Sequence, residues 1–192
     1  MPEKDALLSA TEKQQLLLIA REAITAVAGG CQPQELQMEN MPPNLRENGA
    51  SFVTLTVHNC LRGCIGALEA CQPLALDVQE HAVAAATQDF RFSPLQEKEL
   101  SSTRIEISCL TPFQPLLYHD PQELPELIRP GVHGVILSDG FRHATFLPQV
   151  WEKLPSLQDF LSHLCMKMGA SPDLWRKKKL NVYVYTVEEF EE

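Results

Sequence analysis

Two strand–turn–strand segments constrain the fold of this chain more than any other feature. Phe52 to Val57 is a run of β-branched and aromatic residues, His58-Asn59-Cys60 turns the chain, and Arg62 to Leu68 returns it. Further on, Val135 to Ser138 and Phe141 to Leu147 flank Asp139-Gly140, a pair suited to a type I′ turn. Between these hairpins, Thr103 to Leu110 alternates apolar Ile105, Ile107 and Cys109 with Arg104, Glu106 and Ser108, which predicts a strand. Asn181 to Val187 reads as the last strand. Hairpin connections make the pairing antiparallel, and the helices between them make the class α+β rather than doubly wound α/β. The expected architecture is a mainly antiparallel sheet flanked by helices.

The helices announce themselves by caps and period. Ser9 with Glu12 forms a capping box ahead of Leu16, Ile19, Ala20, Ala23, Ile24 and Val27, predicting a helix over about 9–29 that Gly29-Gly30 ends. Residues 31–50 contain Pro33, Pro42, Pro43 and Gly49 and read as a loop with little regular structure. A second helix is expected from about Pro73 to Gln88, with Pro73 at its first position and Ala82-Val83-Ala84-Ala85-Ala86 packed closely on a neighbour. A short helical turn is expected from Ser93-Pro94-Leu95-Gln96, a short helix from Asp120-Pro121-Gln122-Glu123 and a further helix from about Gln149. A longer helix from Ser156 to Met168 stops at Gly169, and Glu188 to Glu192 reads as a solvated acidic tail.

With 192 residues the chain can bury roughly 70% of the surface it exposes when unfolded, so it is read as one domain over 1–192 with no need of a staple. A net charge of −9 repels phosphate backbones unless cations cluster. The one cluster, Arg176-Lys177-Lys178-Lys179 beside Trp175, reads as a solvated helix end, and a nucleic-acid role is disfavoured. The start, Met1-Pro2-Glu3-Lys4-Asp5, is charged and has no apolar stretch of a signal peptide after it. The apolar run Leu16 to Ala20 is far short of the ~18 residues of a membrane span. Six cysteines (Cys31, Cys60, Cys64, Cys71, Cys109 and Cys165) show no Cys-x-x-Cys pair and are expected as reduced thiols of a cytoplasmic protein, without disulfide or zinc.

Leu61-Arg62-Gly63-Cys64-Ile65-Gly66, in a strand after a turn, resembles the signature of the AMMECR domain, whose bacterial members are known as AmmeMemoRadiSam system protein A. Asp89-Phe90-Arg91-Phe92 with Pro94, Leu110-Thr111, Gly131-Val132-His133-Gly134 and Leu147-Pro148-Gln149-Val150 match further family elements in the same order. Phe90 departs from the Pro or small polar residue frequent in relatives. The resemblance implies two intimately packed subdomains, one larger and one smaller, with the signature lining a cleft between them. It also implies partners, a Memo-like protein and a radical S-adenosylmethionine protein, but no settled reaction and no cofactor.

Cys64 is the first candidate catalytic residue: a nucleophilic thiol needs cations nearby, and Arg62 stands two residues away on a strand. Gly63 and Gly66 would admit a substrate or a crossing backbone, while a small buried thiol between two glycines is the plainer reading. Asp89 and Arg91 either present charges to a ligand or form an internal salt bridge, and Arg62 with Asp89 is a plausible buried pair. His133 is a candidate base for the thiol, against a histidine bonded to backbone in a tight turn. Gln149 enters as a ligand-binding candidate through the resemblance. His58, Cys60, Cys64 and Cys71 fit no zinc spacing, so no metal is expected. Two functions remain open: a thiol-dependent enzyme using Cys64, or a binding module using the same cleft. The scattered matching segments are expected to assemble into one site.

Overall fold

The computed structural model describes residues 8–192; the charged start Met1 to Asp5 lies outside the described residues. In chain order come α1 (Ala10–Ala28), α2 (Pro43–Arg46), β1 (Asn48–Val57), β2 (Cys60–Gly66), β3 (Gln72–Pro73), α3 (Leu74–Thr87) and β4 (Thr103–Leu110). They are followed by β5 (Gln114–Pro115), α4 (Leu124–Leu127), β6 (Gly134–Ser138), β7 (His143–Phe146), α5 (Leu157–Lys167), α6 (Leu174–Lys177), β8 (Asn181–Tyr185) and β9 (Val187–Glu191). The strands pair antiparallel wherever a register is defined, which makes the class α+β as the hairpins predict. No helix among the described residues is long and apolar enough to cross a membrane.

The chain divides into two compact units: the segment up to Leu110 with Glu188–Glu192, and Thr111–Val187. The first unit is a sheet in the order β2-β1-β4-β9, with β3 also paired to β1. One sheet face carries Val53, Leu55, Ile105 and Ile107, which pack with Leu16, Ile19 and Ile24 of α1 and with Ala75, Val78 and Ala82 of α3. Burying each large aliphatic side chain in this layer contributes about 1.5–3 kcal/mol. The alanines of α3 let its backbone lie close to the sheet, as the sequence leads one to expect. α1 begins with the reciprocal Ser9–Glu12 capping box.

The second unit is a sheet in the order β5-β8-β6-β7. Its core gathers Val135, Leu137 and Val182 with Phe160, Leu161 and Leu164 of α5. Trp151 stacks on Phe160 at 3.6 Å between ring centroids. Asp120 and Glu123 form the expected capping box, and Ser156 caps α5.

Four expectations are corrected. The type I′ conformation belongs to the first hairpin, whose two-residue loop His58-Asn59 has φ of 51° and 60°. The second hairpin closes through four residues, because the Asp139 carboxylate accepts from the amides of Phe141 and Arg142 and ion-pairs with Arg142. Residues 31–50 hold α2, a 3₁₀ turn at Met38–Asn40 and the start of β1. The acidic end is strand β9, not a solvated tail: Glu188 accepts from Leu8 N and pairs with Lys13, and Glu192 pairs with Arg21. Those cations supply the charge compensation that lets so acidic a strand lie on a sheet edge.

Candidate functional site

The signature run is the edge strand β2, and each of its residues has a separate task. Gly63 faces α3, where a Cβ would fall 2.1 Å from the Ala85 carbonyl oxygen, so only glycine allows the helix this close. Gly66 faces the ring of its cross-strand partner Phe52, 2.4 Å from where a Cβ would be. Both glycines are filled by the protein's own atoms, and neither leaves space for a substrate above Cys64.

Arg62 does not share the face of Cys64 by strand period. The pairing passes from Leu55–Gly63 to Thr56–Leu61, so Arg62 stands in a β-bulge without a partner on β1. A bulge re-aims its side chain. Arg62 reaches the segment that follows α3, donating to Glu99 at 2.8 and 3.0 Å, to Ser93 O at 2.8 Å and to Pro94 O at 3.3 Å. The expected Arg62–Asp89 pair is replaced by this Arg62–Glu99 pair. The guanidinium holds the Glu99 carboxyl down at about 2, below its ordinary 4.5.

Asp89 is buried and holds the other end of the same segment. Its carboxylate accepts from Cys64 N at 2.9 Å, from Arg91 N at 3.2 Å, and from Arg91 Nε and Nη2 at 2.8 and 2.6 Å. The Arg91 guanidinium keeps this carboxyl well below the usual range against the opposing effect of burial. Arg91 Nη2 also reaches Cys64 O at 3.4 Å. Residues 89–99 are thus clamped to β2 at both ends, by the Arg62–Glu99 pair at one and, at the other, by the bonds of Cys64 N to Asp89 and of Arg91 to Cys64 O, with Asp89 and Arg91 paired to each other.

Both carboxyls have folded values below their unfolded ones. Their stabilising contribution is complete above about pH 4.5 and is lost as pH falls through the folded values. The urea midpoint is therefore expected to drop between about pH 4.5 and 2, and Glu99→Gln to flatten part of that slope. Urea titrations across this range check it; a midpoint that does not fall with acidification contradicts the clamp.

The half-buried Cys64 side chain lies opposite Thr54 on β1, whose Oγ1 donates to Sγ at 3.3 Å. Arg91, its nearby cation, is already charge-compensated by Asp89. The other thiols are free as well; burial pushes Cys109 up to about 12 and raises Cys165, which leaves both unreactive.

Beside the clamp opens a cavity of about 520 Å³ lined by Arg62, Arg91, Phe92, Gln96, Lys98 and Glu99. Three cations meet one carboxylate there, in a chain of net charge −9. Arg91 keeps 44% of its side chain exposed, stacks over Phe92 at 5.4 Å, and has Nη1 without a hydrogen-bond partner among the described residues. Sequence reading missed Lys98, Glu99 and Thr54. The signal for Glu99 was present as the Gln96–Glu99 capping box, which sits where Ser93 was expected to cap.

His133 and Gln149 belong to the second unit. His133 Nδ1 accepts from Arg129 N at 3.2 Å, and its carbonyl accepts from Trp151 Nε1 at 2.8 Å. The ring thereby holds the turn ahead of β6, where Gly131 has φ of 74°. Gln149 stands in the 3₁₀ turn Pro148–Glu152.

The AMMECR1 family model matches residues 17–190, nearly the whole chain. The chain belongs to the AMMECR1 family. A Methanothermobacter thermautotrophicus protein is 38% identical over 194 residues, covering 98% of each chain. A Thermococcus onnurineus protein is 39% identical over 164 residues, covering 80% of this chain and 78% of its own length. The crystal structure of an uncharacterized Pyrococcus horikoshii protein superposes with a TM-score of 0.84 at 32% identity, covering 97% and 94% of the two chains. As an AMMECR1 protein, the chain therefore carries its signature strand in a fold shared with a solved archaeal structure.

Proposed function

We propose that this AMMECR1 protein is a cytoplasmic recognition module that binds a small phosphate- or carboxylate-bearing molecule in the Arg91–Lys98 cavity. In this reading it presents that ligand to a Memo-like protein and a radical S-adenosylmethionine protein, the partners the family resemblance implies. The observation that carries it is the clamp: Asp89 and Glu99 fix two guanidinium groups at one rim while Arg91 Nη1 and Lys98 stay available. Arginine in a fixed fork suits planar anionic groups, and preorganisation lowers the entropic cost of binding. Phe92 gives the ligand a flat apolar neighbour.

A second reading keeps Cys64 as a nucleophile. The hydrogen bond from Thr54 Oγ1 and the partial exposure of the thiol favour it. Against it stands the compensation of Arg91 by Asp89, which removes the net positive field that a thiolate needs.

Titration calorimetry with pyrophosphate tests the first reading. Saturable binding is expected in the native protein, and Lys98→Glu, at an exposed position, should weaken it by at least about tenfold, roughly 1.4 kcal/mol. Binding that is absent, or indifferent to Lys98→Glu, rejects the cavity as an anion site.

A further inference from the structure

A second cavity, of about 590 Å³, opens in the first unit on the side of α3 near its N-terminal end and takes no part in the clamp. It is lined by Glu69, Cys71, Gln72, Asp77, Glu80 and His81, with one alanine and one leucine before them. Asp77 and His81 are one helical turn apart on α3, and both are buried. The Asp77 carboxylate accepts from Ser51 Oγ at 2.7 Å and meets His81 Nδ1 at 3.1 Å. With Nδ1 turned to the carboxylate, Nε2 is left as the basic atom of a ring that lines the cavity. Gln72, the residue after Cys71, donates to Glu80, the residue before His81, at 2.6 Å. That bond ties the loop bearing the exposed Cys71 thiol to the helical turn bearing the imidazole.

A buried carboxylate–imidazole pair adds little net stability, because its desolvation cost offsets its attraction. Here it orients a base into a cavity that also holds a free thiol. We propose that Cys71, His81 and Asp77 form a thiol–imidazole–carboxylate site, separate from Cys64, that accepts neutral or cationic acyl esters. Glu69 and Glu80 on the lining disfavour anionic substrates. In the first half of the reaction, His81 Nε2 takes the thiol proton as Cys71 Sγ bonds to the carbonyl carbon. The carbon–oxygen bond to the alcohol then breaks, and the alcohol leaves with that proton. In the second half, water gives a proton to Nε2 and adds to the thioester carbon. The carbon–sulfur bond breaks, the acid is released, and the proton returns to sulfur. Asp77 is a positioning residue that holds the ring, and the net change is hydrolysis of one ester by one water.

Timed alkylation with iodoacetamide, read by mass spectrometry, carries internal controls in Cys31 and Cys60, which are also exposed. Cys71 is expected to react at least about tenfold faster than either, and His81→Gln to remove that advantage. Asp77→Asn should slow Cys71 in the same direction; a variant that merely unfolded would instead open the buried Cys109 and Cys165 to labelling. Hydrolysis of p-nitrophenyl acetate should fall by about tenfold or more in Cys71→Ala and persist in Cys60→Ala. Equal labelling of the three thiols overturns the proposal, as does a Cys71 rate indifferent to His81→Gln or hydrolysis indifferent to Cys71→Ala.

Discussion

Replacing Gly63 with alanine is expected to lower the unfolding free energy by about 3 kcal/mol or more, at the upper end of overpacking costs. The added Cβ would sit 2.1 Å from Ala85 O, a backbone atom inside a helix that cannot swing aside as a side chain can. Relief requires α3 to move off the sheet, which opens the contacts of Val78 and Ala82 with Val53 and Leu55. Urea unfolding of the Gly63→Ala variant measures the loss directly. Gly29→Ala serves as a control, because its nearest neighbours are 3.5 Å away. A Gly63→Ala midpoint within error of the native protein would show that the glycine is kept for something other than helix packing.

Asp89→Ala is the second large effect. It removes the partner of Cys64 N and both bonds to the Arg91 guanidinium, leaving a partly buried amide without its acceptor. Breaking such a pair costs about 2–3 kcal/mol, less than for a fully buried pair because the Arg91 head remains partly in water. The loss should be local before it is global: residues 89–99 detach from β2 while the α1–α3 layer persists. Amide hydrogen exchange distinguishes the cases, with the Cys64 amide exchanging faster in Asp89→Ala and the amides of Ile105 and Ile107 holding their protection. Equal acceleration at all three would mean that Asp89 supports the whole unit and not this segment.

The fold was legible wherever a local rule decided it. β4 follows from strict alternation over Thr103–Leu110, and α1 from a capping box joined to helical period. Asp139-Gly140 misled because the Asp139 side chain prefers to bond its own following amides, which widens the turn to four residues. His58-Asn59 carries no glycine, so its left-handed pair was hidden. β9 was hidden for a different reason: Val187-Glu188-Glu189-Phe190-Glu191 has a tail's composition, and only Lys13 and Arg21, far off in sequence, make it a strand. The candidate site was legible in its residues and not in its pairings. Arg62, Asp89 and Arg91 stood out, yet the bulge that turns Arg62 toward Glu99 depends on a register that no local pattern encodes.

The central claim is that the signature strand is a scaffold and that recognition rests on the cations beside it. Cys64→Ser tests it most directly, because the clamp uses the backbone of Cys64 and not its sulfur. ¹⁵N-resolved NMR titration of this variant with pyrophosphate should give the same saturable shifts at Arg91, Phe92 and Lys98 as the native protein. A folded Cys64→Ser protein that no longer binds would contradict the account and place the function on the thiol.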